Sequence, residues 1–166
     1  MKQLTLIRHA KSSWKFSGLQ DPDRPLNRRG RRDAPLMGNV LASRKFSPDT
    51  IVTSPALRAL RTAEMIAAAI DYPMQRIVLD ARLYHADADD LLKVVQSMDE
   101  AARWVAWVGH NPSLTLLASD LGRQRFENVP TCGVVEIRFS SDRWVDVGRS
   151  VPESVDFDFP KNHRVP

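Results

Sequence analysis

The stretch LTLIRHAKSSW, residues 4–14, begins as an apolar run and then changes abruptly at Arg8 and His9. Residues 3–7 have the length and composition of a buried strand. In open α/β sheets, ligands bind just beyond the carboxyl ends of the strands. The cation and the imidazole that follow this strand therefore suggest a site, and the residues after the other predicted strands should complete it.

Strands alternate with helices through most of the chain. Further strands are predicted over residues 49–53, 77–79 and 102–108, and helices over 27–44, 55–70, 91–98 and 112–122. Asn27 and Ser54 are the predicted N-caps of the first two helices. This alternation predicts a three-layer α/β/α sandwich with a mostly parallel sheet. Residues 133–139 and 144–147 are predicted to form a closing hairpin, which adds an antiparallel edge.

Length and composition narrow the function classes. The 166 residues are enough for one domain, expected over 1–150, and the charged, Pro-rich segment 151–166 is predicted to be an extended tail. A single cysteine, Cys132, excludes an internal disulfide framework. No apolar run approaches the roughly 20 residues of a membrane span, and the N-terminus has no signal-peptide pattern. We therefore expect a cytoplasmic protein without a membrane partner.

The net charge of +4 is compatible with nucleic acid or with a small anionic substrate. The most basic run, residues 27–32, is best explained as a solvated face near a helix start. Aromatic residues do not alternate with the basic ones, as a platform for single strands would need. Nucleic acid is accordingly not the expected partner.

Two arginines and two histidines follow the predicted strands. Arg8 and His9 follow the first, Arg58 lies in the first helical turn after the second, and His110 and Asn111 follow the fourth. Helix N-termini and the planar fork of arginine both suit phosphate, and histidine can act as a nucleophile or as an acid–base group. The set predicts phosphoryl transfer, with one histidine attacking phosphorus and the other groups stabilising the developing charge.

Each residue alone has a simpler explanation. Arg8 could be a buried ion-pair partner and Arg58 a surface residue of its helix, while His85 and His163 are expected to be structural or surface residues. Two histidines could also bind a metal. That alternative is disfavoured because no Cys, Asp or Glu lies beside either one with ligand spacing, and an arginine adjoins His9.

Three motifs carry a resemblance to a known family. Residues 6–12 (LIRHAKS), 54–63 (SPALRALRTA) and 108–111 (VGHN) resemble, in order, the three motifs of the histidine phosphatase superfamily, the phosphoglycerate mutase-like group. The short length, together with RHAKSSW and RPLNRRG (residues 24–30), is most similar to the small SixA-type phosphohistidine phosphatases. The resemblance implies a phosphoglycerate mutase-like fold and no metal or organic cofactor.

The resemblance also implies roles for individual residues. His9 would be the nucleophile that becomes phosphorylated, Arg8 and Arg58 would clamp the phosphoryl oxygens, and His110 would bond the same group and stabilise the transition state. The backbone N–H of Asn111 would assist. The remaining candidates for substrate binding are Lys11, Ser12 and Lys15. The two lysines would add positive potential at the rim, or are simply solvated loop residues.

Three positions depart from the superfamily pattern. Ala10 stands where glycine is usual, and we expect it to have ordinary backbone angles. Lys15 stands where many members have an asparagine after the tryptophan. Mutases and many phosphatases of the superfamily use an acidic proton donor after the third strand, but residues 82–87 (RLYHAD) contain no glutamate. Asp87 is the candidate donor there.

The missing acid bears on the substrate. An alkoxide is a poor leaving group that needs protonation, whereas phosphohistidine or an acyl phosphate leaves far more easily. The sequence therefore predicts a phosphatase with a covalent phosphohistidine intermediate that acts on protein phosphohistidine. A small-molecule phosphomonoesterase of the same superfamily and a non-catalytic phosphate- or phosphoprotein-binding protein are the alternatives.

Overall fold

The computed structural model describes residues 1–165, so that Pro166, the last residue of the predicted tail, lies outside the described residues. The strands are β1 (Lys2–Arg8), β2 (Thr50–Thr53), β3 (Val78–Leu79), β4 (Trp104–Gly109), β5 (Val134–Phe139) and β6 (Ser154–Asp158). The α-helices are α1 (Arg28–Ser43), α2 (Leu57–Ala69), α3 (Ala88–Gln96) and α4 (Ser113–Gly122).

The strands form one mixed sheet in the order β3-β2-β4-β1-β5-β6. The pairs β3/β2, β2/β4 and β4/β1 are parallel, whereas β5 is antiparallel to both β1 and β6. Helices cover both faces, because side chains alternate across each strand. Leu6 and Trp107 pack on the side of α3 and α4, and Ile7 and Val108 pack on the side of α1 and α2. The predicted α/β sandwich with an antiparallel edge is thus confirmed.

The partner predicted for β5 was wrong. Residues 144–146 form a short 3-10 turn instead of a strand. Trp144 is fully buried, and its Nε1–H donates to the carbonyl oxygen of Ala102 at 2.8 Å. The antiparallel partner of β5 is β6, with Glu136 opposite Asp156. Because β6 lies within the predicted extended tail, the sheet continues past residue 150.

One of the two predicted N-caps is observed and the other is not. Asn27 caps α1 as predicted, accepting a hydrogen bond from the Gly30 N–H at 2.9 Å. Ser54 was predicted to cap α2, but this helix begins at Leu57. Ser54 lies too early in the chain for that role, and its Oγ accepts from the N–H of Ala56 at 3.2 Å.

No helix within residues 1–165 is both long and apolar enough to cross a bilayer.

Strand register brings the three sequence motifs to one edge of the sheet. Arg8 pairs with Gly109, and Thr53 pairs with Val108. Just beyond the strands, the N–H of His9 donates to the carbonyl oxygen of Gly109 at 3.0 Å. The carboxyl ends of β1, β2 and β4 therefore lie side by side, as the location of ligand sites in such sheets requires.

Candidate active site

A cavity of about 440 Å³ opens at this edge of the sheet. It gathers the predicted catalytic residues and Asn111, together with several residues that sequence reasoning missed. The wall comprises Arg8, His9, Trp14, Asp21, Arg24, Arg58, Tyr84, His85, Ala86, His110, Asn111, Pro112 and Ser113. The four residues predicted to carry the chemistry, which come from three separate segments of the sequence, therefore meet at one cavity.

His9 is held as a neutral imidazole with one nitrogen free. Its side chain is 8% exposed, and its Nδ1 lies 2.7 Å from the carbonyl oxygen of Ala10. A carbonyl oxygen can only accept, so Nδ1 carries the proton and Nε2 keeps its lone pair. Burial, opposed by the Ala10 hydrogen bond and aided by nearby His110, lowers the pKa of His9 to about 3. At neutral pH, Nε2 is therefore available as a nucleophile.

Ala10 fixes the segment that follows the nucleophile. Its N–H donates to Oγ1 of Thr62 at 2.9 Å, and that hydroxyl donates to the carbonyl oxygen of Arg58 at 2.7 Å. Ala10 is fully buried and lies outside the left-handed backbone region. The expectation of ordinary backbone angles at this position is confirmed. Through Thr62, the loop after β1 and the first turns of α2 are held in one arrangement.

Arg8 and Arg58 each keep one buried donor without a partner. Nη1 of Arg8 donates to the carbonyl oxygen of Val129 at 3.0 Å. Arg58 donates from Nη1 to the backbone oxygen of Asp21 at 2.8 Å and from Nη2 to Oδ2 of Asp21 at 3.0 Å. In both arginines Nε is buried and makes no hydrogen bond within the described structure. Both arginines also line the cavity, and the planar fork of arginine suits the oxygens of an anionic ligand.

His110 lies beside the nucleophile. The ring centroids of His9 and His110 are 5.1 Å apart, and Nε2 of His110 is 2.7 Å from Oγ of Ser54. Burial, reinforced by the charge of Arg58, lowers the pKa of His110 to about 4. Both imidazoles are thus neutral at pH 7. Ser54, predicted as a helix cap, instead holds the orientation of His110.

An acidic residue missed by sequence reasoning, Asp21, lies on the cavity wall. Its carboxylate accepts hydrogen bonds from the Tyr84 hydroxyl, from Nη2 of Arg58 and from Nε of Arg24 at 3.1 Å. The Tyr84 hydrogen bond, then those of Arg58 and Arg24, hold the pKa of Asp21 well below its usual range despite partial burial. Asp21 is therefore an ionised acceptor at neutral pH and cannot supply a proton.

The other missed residues also come from loops. Arg24 stacks on the ring of Trp14, with its guanidinium carbon 3.6 Å from a ring centroid. Both residues belong to the segments that carry the family resemblance, RHAKSSW and RPLNRRG, which is the signal that could have identified them. His85, expected to be structural or at the surface, is exposed and lies on the wall. His163 matches that expectation, since its Nε2 lies 2.7 Å from Oδ2 of Asp158.

Lys11, Ser12, Lys15 and Asp87 do not lie on the cavity wall. The Lys11 carbonyl accepts from the N–H of Asn27, and Ser12 Oγ accepts from Nη1 of Arg24 at 2.8 Å. Lys15 is exposed on the loop. Asp87 is the N-cap of α3, where its carboxylate accepts from the N–H of Asp90 at 2.8 Å. The structure thus places all four residues outside the cavity wall and Asp87 at the N-cap of α3; substrate binding by Lys11, Ser12 and Lys15 and proton donation by Asp87 stay predictions.

The amide of Asn111 is engaged by the protein. Its Nδ2 donates to the carbonyl oxygen of Val129 at 3.0 Å, and its Oδ1 accepts from Oγ1 of Thr115 at 2.8 Å. These bonds tie the start of α4 to the segment that also receives Arg8.

Within residues 1–165, no three His, Cys, Asp or Glu side chains come together as ligands for a metal ion. The binding groups of the site are those that suit a phosphoryl group.

Comparison with known proteins agrees with this geometry. The model of the histidine phosphatase superfamily (branch 1) matches residues 4–113. An uncharacterized protein of Mycobacterium tuberculosis is 29% identical, over 93% of this chain and 100% of its own length. The crystal structure of the putative phosphohistidine phosphatase SixA from Agrobacterium tumefaciens is 27% identical, with a TM-score of 0.74 over 82% of this chain and 90% of that one. The protein histidine phosphatase SixA complexed with tungstate, 21% identical, shares the fold, with a TM-score of 0.79 over 98% and 99% of the two chains.

Proposed function

This chain belongs to the histidine phosphatase superfamily, and we propose that it is a phosphatase that forms a phosphohistidine intermediate on His9. In the first step, Nε2 of His9 attacks phosphorus and the leaving group departs. In the second step, water attacks the phosphorylated His9 and releases inorganic phosphate. The substrate we propose is phosphohistidine in a protein.

The proposal rests mainly on one observation: His9 has a free ring nitrogen, and the arginines beside it each have an Nε donor without a hydrogen-bond partner. Nδ1 is engaged by the Ala10 carbonyl, so that Nε2 is the free nitrogen. The buried Nε atoms of Arg8 and Arg58 have no protein partner. Charge spreads over the equatorial oxygens during phosphoryl transfer, and donors that are already in place stabilise it without reorganisation.

The acid–base groups of the site support phosphohistidine as the substrate. Asp21 is the carboxylate on the cavity wall, and three donors keep it ionised. Asp87 caps α3 and is not on the wall. Neither carboxylate is placed to protonate an alkoxide, so a good leaving group is favoured over an alkoxide unless another side chain of the site supplies the proton. The similarity to a putative phosphohistidine phosphatase points in the same direction.

One observation favours the alternative of a small-molecule phosphomonoesterase. The cavity volume of about 440 Å³ falls within the range of small-ligand sites. The two functions differ in the leaving group: a phosphorylated metabolite carries an alkoxide, whereas phosphohistidine carries an imidazole. A substrate panel therefore distinguishes them.

The test is a panel of phosphohistidine protein, acetyl phosphate and an alkyl phosphate, incubated with wild type, His9→Ala and His163→Ala. We expect wild type and His163→Ala to hydrolyse the phosphohistidine protein fastest. Rapid quenching should trap acid-labile ³²P on both proteins but not on His9→Ala. A wild type that stays unlabelled during turnover would refute the covalent mechanism. Alkyl phosphate turned over as fast as phosphohistidine would favour the phosphomonoesterase, and phosphate binding without any turnover would identify a non-catalytic binder.

A further inference from the structure

His85, on the cavity wall, has an unusual backbone conformation. Its φ is 61°, which puts a non-glycine residue in the left-handed region. Such conformations cost free energy and cluster at functional sites. Its ring packs on Tyr84, with centroids 3.9 Å apart, and Tyr84 in turn lies 5.3 Å from His110. The backbone thus holds an exposed imidazole against Tyr84, whose ring in turn packs against His110.

The direction of the reaction places the leaving group on the side where His85 lies. Attack on phosphorus is in line, so that the leaving atom departs opposite the nucleophile. His9 is buried, at 8% exposure, and forms the inner wall of the cavity. The leaving group therefore departs toward the open mouth. His85 is exposed and lines the same cavity.

The other titratable groups on the cavity wall are not available as proton donors. Asp21 is held ionised by hydrogen bonds, one of which the Tyr84 hydroxyl donates. His9 is the nucleophile, and burial keeps His110 in its neutral form. Arg8, Arg24 and Arg58 do not give up protons near neutral pH. His85 is the remaining imidazole on the wall, and imidazole is the most common acid–base group in enzymes.

We propose that His85 is the proton donor to the leaving group, an inference that deepens the proposed function and rests on it. With an ester, the P–O bond breaks as the bond from Nε2 of His9 to phosphorus forms. The electron pair stays on the leaving oxygen, which takes the proton of the His85 imidazolium. With phosphohistidine, the proton enters the departing imidazole ring on its free nitrogen. In the second step, the attacking water returns a proton to neutral His85, which restores the starting state.

The test compares two aryl phosphates with His85→Asn. Asparagine tolerates the left-handed conformation, so that the fold is kept while the transferable proton is lost. For phenyl phosphate, we expect kcat/KM to fall about 100-fold, the lower end of general acid catalysis. For 4-nitrophenyl phosphate, whose phenolate leaves without help, the expected loss is under ~5-fold. Imidazole added to the buffer should restore part of the phenyl phosphate activity.

His163→Asn is the matched control, because His163 pairs with Asp158 away from the cavity. It should leave both kcat/KM values unchanged. Equal losses on the two esters in His85→Asn, no loss on phenyl phosphate, or no wild-type turnover of phenyl phosphate would each overturn the proposal. The label on His9 is scored separately: a labelled His9 with equal losses on the two esters refutes only the donor, whereas an unlabelled His9 refutes the proposed function.

Discussion

Asp21 holds Arg58 by its two terminal nitrogens, through bonds of 2.8 Å to the backbone oxygen and 3.0 Å to Oδ2. Nε of Arg58 stays buried and unpartnered. Asp21 therefore occupies both terminal nitrogens of the guanidinium, and in the proposed function Nε is left for the phosphoryl group. Tyr84 and Arg24 hold the carboxylate itself in place. This network orients Arg58 before the substrate arrives, which is how preorganised sites stabilise developing charge.

Replacing Asp21 by asparagine tests that arrangement. The backbone acceptor for Arg58 remains, but the charge that holds Nη2 is lost. We expect kcat/KM for 4-nitrophenyl phosphate to fall about 10-fold, because small displacements of a clamp reduce catalysis strongly. Asp23→Asn, an exposed neighbour that is not on the wall, should behave as wild type. Increased activity in Asp21→Asn would mean that the carboxylate competes with substrate instead of positioning Arg58.

The clustering of the candidate residues at one edge of the sheet could be predicted because parallel strands align their carboxyl ends. Arg8 ends β1, and His9, Arg58 and His110 follow strands that apolar periodicity identifies. The position of Asp21 could not be predicted this way. It lies in the polar loop between β1 and α1, and the path of such a loop depends on contacts such as the Arg24–Trp14 stack, which leave no periodic pattern.

Two other predictions were wrong because the residue type is compatible with more than one local structure. Trp144 suits a strand as well as a buried turn. In the structure it lies in a turn and packs in the same core cluster as the buried residues of α3. Ser54 before a proline is typical of an N-cap, but α2 starts later, and the hydroxyl is free to meet His110. Asp87, the acidic residue of the expected donor segment, is the N-cap of α3.

Ser54→Ala should weaken catalysis through His110. Ser54 is fully buried, and removing its hydroxyl leaves Nε2 of His110 without the partner at 2.7 Å. We expect kcat to fall about 10-fold, corresponding to the ~1.4 kcal/mol of one hydrogen bond, with KM changed less. Ser43→Ala, which removes an exposed hydroxyl on α1, is the control. An unchanged kcat in Ser54→Ala would show that His110 needs no support from this side.

The buried neutral state of His9 makes stability depend on pH. Its pKa is lowered to about 3 in the folded protein, against the ordinary 6.5 that applies when unfolded. The unfolded state therefore binds a proton first as the pH falls, and stability is lost from about pH 6.5 downward.

From pH 7 to pH 5, His9 should account for a loss of about 2 kcal/mol in the free energy of unfolding. Urea titrations of wild type and His9→Asn at both pH values measure this. The loss in the variant should be smaller by that amount. Between pH 7 and 8 the two proteins should change in parallel, because the histidine is neutral in both states. An equal loss in wild type and variant between pH 7 and 5 would contradict the neutral, buried assignment.

Gly30→Ala should disturb the site from outside the cavity. A Cβ at Gly30 would lie 2.2 Å from the carbonyl oxygen of Lys11. That oxygen already accepts from the N–H of Asn27 at 2.9 Å, so that the start of α1 packs directly on the loop after His9 and Ala10. Backbone on both sides leaves no flexible side chain to yield. The added methyl group must push the nucleophile loop or the helix.

We expect Gly30→Ala to lower the free energy of unfolding by about 2–3 kcal/mol, the upper range of overpacking effects, and to lower kcat/KM as well. Gly18→Ala is the matched control, since a Cβ there has no neighbour within 4 Å and the backbone is not in the left-handed region. It should keep wild-type activity and gain up to about 1 kcal/mol of stability, because alanine restricts the unfolded chain. Urea unfolding and steady-state kinetics on both variants decide the matter. If the two substitutions behave alike, the contact between α1 and Lys11 does not hold the nucleophile loop.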